Sequence, residues 1–235
     1  MLTLLAHPIL VTAAVVPAVW LLIKVYRVDR LDRESRPLLL SLVLYGILAT
    51  FLAMLAERVG SFVLGIFFRE DGRLYNLLLY FVVVGGAEEG AKFILLRRRT
   101  WQSPEFNCQF DGVVYSVFVA LGFALWENIG YVLMFGLRTA VLRAVTAVPG
   151  HACFGVFMGV WYGMAKRAER AGDMEKATRY QRTAFLLPLV LHGCYDYIAS
   201  LSRSGASLLF LVFIAALFFL SYRLIVRSAQ NDKWI

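Results

Sequence analysis

Apolar residues run along this chain in long blocks, broken by short polar or basic segments. A helix needs about 20 mostly apolar residues to cross a bilayer. Seven segments meet that length: Leu4–Tyr26, Pro37–Ala56, Leu74–Leu96, Asp111–Met134, Ala144–Ala165, Ala184–Leu201 and Ser207–Val226. An eighth apolar run, Gly65–Phe68, is too short to cross and is expected at the surface. The first segment has no small-residue cleavage site and exceeds a signal-peptide core, so it reads as a retained span. No connecting segment can hold a second domain. The expectation is an all-α polytopic bundle of about seven spans, forming one integral membrane domain over 1–235.

Composition agrees. The chain is 60% hydrophobic and only 17% charged, whereas soluble domains are roughly 25% charged. That excludes a soluble globular domain and a disordered chain. The net charge of +8 would raise nucleic acid as a partner, but the placement of the charges argues otherwise. Seventeen basic residues fall on one side: Lys24, Arg27, Arg30, Arg33, Arg36, Arg97, Arg98, Arg99, Lys166, Arg167, Arg170, Lys176, Arg179, Arg182, Arg223, Arg227 and Lys233. Six fall on the other: Arg58, Arg69, Arg73, Arg138, Arg143 and Arg203. The positive-inside rule puts the larger group in the cytoplasm. The N-terminus is then outside and the C-terminus inside, as an odd number of spans requires. No nucleic acid is expected; the bilayer is the partner.

Five ionisable residues lie deep inside these spans, where each costs several kcal/mol on insertion scales. They are Glu88, Glu89, Lys92, Glu127 and Asp196, joined by His151 and His192. Such residues normally face the bundle interior and mark function. Glu88 and Lys92 are i,i+4 on one helix face, and Glu89 is i,i+3 from the same lysine. One lysine thus offsets two carboxylates, and two adjacent carboxylates in a low dielectric do not both ionise readily. Phe123 and Glu127 are i,i+4, followed by Asn128. His192 and Asp196 are also i,i+4, so the carboxylate can accept from an imidazole N–H and fix its tautomer.

Small residues reinforce this picture. His151, Gly155, Gly159 and Gly163 form one stripe, which lets a neighbouring helix approach closely. Gly86 and Gly90 flank the glutamate pair in the same manner. Pro8, Pro17 and Pro188 lie within spans. Cys153 and Cys194 each follow a histidine by two residues, about 200° around a helix, so neither joins that histidine in a dyad. Cys108 carries no signal, and His7 reads as incidental. Tyr26, Tyr131 and Trp234 read as interfacial aromatics.

Three motifs resemble those of one family. Glu88-Glu89-Gly90-Ala91-Lys92 resembles the EExxK motif of the PrsW family of intramembrane proteases. Phe123-Ala124-Leu125-Trp126-Glu127-Asn128 is similar to its FxxxEN motif, and His192-Gly193-Cys194-Tyr195-Asp196 to its HxxxD motif. His151 stands between the last two, where the family also carries a histidine. The motif-bearing core covers about 74–201. The resemblance implies a membrane endopeptidase related to the prenyl-protein (CAAX) endopeptidases and Abi proteins. It implies a membrane-anchored substrate, a single-span anti-sigma factor in stress signalling, and a bacterial cytoplasmic membrane. Relatives use a glutamate to activate water, though their second motif has a histidine where this chain has Glu127.

The leading expectation is therefore a glutamate-type protease without a metal. Glu88 or Glu89 deprotonates water. Glu127 orients it, and His192, held by Asp196, stabilises the oxyanion or protonates the leaving amine. His151 supports either role, while Lys92, Asn128 and Phe123 are supporting residues. A second expectation is a zinc hydrolase, with His151, His192 and Asp196 or Glu127 as ligands. A third is a proton- or cation-coupled transporter, since buried Glu, Lys, His and Asp also build relays; the lack of an inverted repeat counts against it.

Overall fold

The computed structural model describes residues 2–29, 31–70, 72–202 and 204–235, with side chains from Pro8 onward. Arg30, Arg203 and the His7 side chain lie outside the described residues. Among the described residues every regular element is a helix. In chain order these are α1 (Leu2–Val28), α2 (Arg36–Phe67), α3 (Arg73–Leu78), α4 (Gly85–Thr100), α5 (Asp111–Phe135), α6 (Leu137–Val145), α7 (Ala147–Arg170), α8 (Met174–Ala199) and α9 (Ala206–Gln230). A π-helical turn, Leu79–Val84, joins α3 to α4 without a break.

The ends of the helices follow local chemistry. Ser35 Oγ accepts from Leu38 N at 3.3 Å, with Pro37 in the first turn of α2; proline there gives up only an N–H that has no helical partner. Asp173 Oδ1 accepts from Lys176 N at 2.9 Å to open α8. Gly136, at φ +80°, separates α5 from α6, a conformation that side-chain-bearing residues rarely adopt.

Among the described residues, five helical stretches are long and apolar enough to cross a membrane: Pro8–Val28, Arg36–Phe67, Asp111–Phe135, Leu137–Arg170 and Ala206–Gln230. The other two expected spans are helical but fall short of that standard. Leu74–Leu96 is divided by the π-helical turn, leaving α4 only 16 residues long. Ala184–Leu201 is the second part of α8, whose first turns carry Glu175, Lys176, Arg179 and Arg182. These are also the segments that hold Glu88, Glu89, Lys92, His192 and Asp196. A second boundary also shifts. α2 does not stop at Ala56 but continues to Phe67, so Gly65–Phe67 belongs to it and is no separate surface segment.

α5 is the central helix. Every residue from Asp111 to Ala124 is buried, as expected of a helix apolar all round. It packs against α1, α2 and α7. Glycine permits the closest approaches. A Cβ on Gly159 would sit 2.5 Å from Gly112 O, and one on Gly112 would sit 2.6 Å from Gly163 N. The expected glycine stripe of α7 is thus a seam against α5. The pair Gly86 and Gly90 is not such a seam: a Cβ there meets only ordinary contacts at 3.9 and 3.6 Å. Gly85 and Gly193 instead bring α4 and α8 together; a Cβ on Gly85 would lie 3.1 Å from Leu189 O, and one on Gly193 2.5 Å from Phe81. Outward-facing Leu40, Leu55, Phe62, Leu208 and Leu211 are exposed, the inversion expected where lipid is the solvent.

The basic segments expected on one side do meet at one end. Arg99 Nε donates to Ser41 Oγ at 2.9 Å, Lys166 Nζ to Trp101 O at 2.8 Å, and Arg167 Nη1 to Gln109 Oε1 at 3.2 Å. Trp234, expected at an interface, pairs backbone-to-backbone with Cys108 in this end.

Candidate active site

The site begins on α4. The π-helical turn sets the phase of the helix just before the glutamates, and such turns often mark functional sites. One turn later Lys92 points back at both carboxylates. Its Nζ donates to Glu88 Oε2 at 3.1 Å and to Glu89 Oε1 at 2.8 Å. The same ammonium lies 3.2 Å from His151 Nδ1 on α7 and 3.9 Å from the centre of the Phe123 ring on α5. All are deeply buried, with Glu89 at 0% and Lys92 at 1% exposure. An unpaired charge there would be severely penalised.

Two branches leave the cluster. On one, His192 of α8 faces carboxylates with both ring nitrogens: Nδ1 is 2.9 Å from Glu89 Oε1, while Nε2 is 3.4 Å from Asp196 Oδ2 and 3.8 Å from Glu88 Oε2. On the other, His151 Nε2 lies 3.0 Å from Glu127 Oε2, which also accepts from Arg143 Nη2 at 2.6 Å. Phe154 stacks on His192, with ring centres 4.8 Å apart. The two histidine rings stand edge to face at 5.3 Å.

All the sequence-derived site residues thus meet in one network, but in unequal positions. Glu88, Glu127, His151, His192 and Asp196 line a cavity of about 240 Å³, and Glu89 lies behind it. Asn128 faces away: its Nδ2 donates to Ala14 O at 2.8 Å, and its Oδ1 accepts from Arg143 Nε at 2.9 Å. It fastens α1 and α6 to α5. Phe123 forms a wall under Lys92.

Several lining residues escaped the sequence reading. Arg143 counted there only as an outside charge, and nothing in sequence joins it to Glu127. Its helix α6 has an apolar and a basic face and buries only Ala140. Tyr131, expected at an interface, instead lies under the Arg143 guanidinium at 4.1 Å and lines the cavity. Glu57 lines it too; the apolar run after Arg58 was the available sign that α2 continues past it. Tyr80 and Tyr195 complete the wall.

Donor atoms of Glu88, Glu89, His151 and His192 lie within 4.8 Å of one another. By type this nitrogen–oxygen set suits zinc, although it contains neither Glu127 nor Asp196, contrary to the set expected from sequence. Glu89 Oε2 is buried without a hydrogen-bond partner. In this arrangement the Lys92 ammonium already binds three of the four residues, so a divalent ion would enter only if it withdrew. A second cation in that shell would meet it at close range in low dielectric.

Residues 34–222 match a family described as PrsW family intramembrane metalloprotease. Proteins named Protease PrsW are similar to the chain. One from Geobacillus kaustophilus is 35% identical over 80% of this chain and 79% of its own length. One from Clostridioides difficile is 30% identical over 94% and 91%, and one from Bacillus subtilis 30% identical over 80% and 82%. No solved structure matches the chain.

Proposed function

The chain belongs to the PrsW family and is an intramembrane protease, and from its geometry we propose that Glu88 activates the water that cleaves a membrane-anchored protein. The observation that carries this reading is the division of labour between the two glutamates. Glu88 faces the cavity, whereas Glu89 is fully buried and held by Lys92 and His192. A base must reach the water it deprotonates, and only Glu88 of the pair lines the space where water enters. At about 30 Å³ per water, the cavity of about 240 Å³ has room for the attacking water against Glu88.

Hydrolysis then runs on this chain's own groups. Glu88 takes a proton from water as the oxygen attacks the scissile carbonyl. His192, oriented by Glu89 and Asp196, protonates the amine as the C–N bond breaks. Arg143, with guanidinium N–H groups beyond those given to Glu127 and Asn128, stabilises the negative oxygen of the tetrahedral intermediate, while His151 links Lys92 to Glu127 through its two ring nitrogens. Lys92 holds the glutamate pair in one charge state. Glu127 acts chiefly by placing His151 and Arg143.

The same reading places seven spans in a bacterial cytoplasmic membrane, with the N-terminus outside and the basic end in the cytoplasm. α4 and α8 cross despite their charges because those charges face inward and are paired. The substrate is a single-span protein such as an anti-sigma factor. The deciding experiment is cleavage of co-expressed single-span proteins by wild type beside Glu88→Gln; full activity in the variant overturns the assignment.

The quartet of ligand-type groups and the orphaned Glu89 Oε2 favour a second reading, zinc-assisted hydrolysis. It requires Lys92 to leave the cluster. Stoichiometric zinc in active protein, with activity lost to chelators and restored by zinc, would establish it over the metal-free one.

A further inference from the structure

α2 keeps one packed stripe along its length. Gly46, Thr50, Ala53 and Leu64 are buried on it, and Gly60 continues it, since a Cβ there would sit 2.8 Å from Val83 Cγ1. The positions recur every three or four residues, the spacing of one helix face. Glu57 falls on this stripe, four residues after Ala53 and three before Gly60, where its neighbours are small or apolar. It is half-buried and lines the cavity that Glu88 faces, whereas Arg58 beside it is exposed.

Among the described residues Glu57 has no hydrogen bond and no ion pair. The other cavity carboxylates are committed: Glu88 to Lys92 at 3.1 Å, Glu127 to Arg143 at 2.6 Å, and Asp196 to His192 at 3.4 Å. The charges that act most on Glu57 are Glu88 and Glu127, which repel it; Lys92 and His192 attract it less. The charge balance of the site runs the same way. Five carboxylates, those of Glu57, Glu88, Glu89, Glu127 and Asp196, meet two permanent cations, Lys92 and Arg143. Even two charged imidazoles leave one negative charge over. A poorly solvated charge without a partner is costly, so the cavity favours a cation brought in from outside.

Glu57 lies about 31 Å along α2 from Arg36, close to the thickness of the hydrocarbon layer, about 30 Å. Lysine and arginine at the end of a membrane span extend their charge to that same level. We propose that Glu57 receives a lysine or arginine side chain of the substrate next to the bond that is cut, and so selects spans that carry a basic residue at that end. The assignment rests on the cavity being the site of hydrolysis. An ammonium or guanidinium can make a charge-assisted hydrogen bond to Glu57 that a neutral side chain cannot.

Single-span proteins cleaved by the full chain test this, with the cut bond mapped by mass spectrometry. A lysine or arginine is expected within one helical turn of that bond; cleaved proteins without one overturn the proposal. The basic position is then made Lys, Gln or Glu, and kcat/KM is measured in detergent. Wild type should prefer the Lys substrate to the Gln substrate at least about tenfold, chiefly through KM. Glu57→Gln should bring that ratio close to one, and Glu57→Lys should reverse it, with the Glu substrate cut faster than the Lys substrate. A wild-type enzyme indifferent to the charge overturns the proposal. So does a Glu57→Lys variant that keeps the wild-type order, or one that loses all three substrates equally together with its Tm, which identifies a packing residue. Glu88→Gln on the same substrates tests the base separately: full activity there overturns the choice of base and leaves the charge preference readable.

Discussion

Lys92 Nζ lies 3.2 Å from His151 Nδ1, a contact between residues 59 positions apart. It joins the EExxK helix to the histidine helix and makes one network of what would otherwise be two ion-pair clusters. On the α4 side the ammonium holds two carboxylates; on the α7 side His151 leads to Glu127 and Arg143. Removing the lysine leaves two buried carboxylates without their main counter-ion.

Lys92→Met should therefore abolish cleavage and destabilise the protein by about 3–5 kcal/mol, the usual loss when one partner of a buried pair is removed. Adding Glu88→Gln should recover part of that stability, because one stranded charge goes with it. Thermal unfolding of the two single variants and the double variant in detergent measures the coupling. Strictly additive losses would show that the contact carries little energy.

The two glutamates should separate in a paired measurement. Glu88→Gln is expected to lose cleavage while keeping a Tm near wild type, since the residue faces a cavity and makes one hydrogen bond to Lys92. Glu89→Gln should lose both activity and stability, because Glu89 anchors Lys92 and His192 together. Equal Tm values for the two variants would contradict this division.

Arg143→Ala should cut kcat more than it raises KM. The guanidinium makes charge-assisted bonds to Glu127 and Asn128, worth about 1.5–3 kcal/mol for bonds to charged groups, so a loss of roughly tenfold or more is expected. Arg143→Lys should rescue only in part. An ammonium keeps the attraction to Glu127 but cannot reproduce the two-pronged grip on Glu127 and Asn128.

The helix seams give a contrast between neighbouring glycines. Gly159→Val should collide with the Gly112 backbone and reduce folded yield, an overpacking loss of about 1–3 kcal/mol or more. Gly86→Ala meets no close neighbour and should stabilise α4 by about 0.5–1 kcal/mol. Folded yield and Tm of the two variants check both expectations.

The all-α architecture was readable because bilayer thickness imposes a length on each apolar run. The residues that cluster in the candidate site were readable because charge in an apolar run demands an explanation, and Glu88, Lys92 and Asp196 stand out for that reason alone. What sequence hid were relationships across helices. Arg143 sits in a segment that looks like any outer loop, and only packing brings it to Glu127. Glu57 looked like a span end because a Glu-Arg pair resembles an interface, whereas the helix carries both onward. The roles of Glu88 and Glu89 could not be separated either, since adjacent residues share a spacing pattern and differ only in which neighbours surround them. Tyr131 shows the same limit, because an aromatic at a helix end reads as interfacial until its partner Arg143 is seen.

The π-helical turn at Leu79–Val84 has a consequence for how this chain tolerates length change. A π turn holds one residue more than an α turn. Deleting a single residue there should let the segment relax to ordinary α-helix with the flanking helices close to their present phase, because the π turn takes up its extra residue within about one turn. Deleting a residue within α4 upstream of the glutamates, where no such slack exists, would instead rotate Glu88 and Glu89 by about 100° against what precedes them. The chain should thus accept a one-residue loss in the π turn and refuse the same loss one turn later.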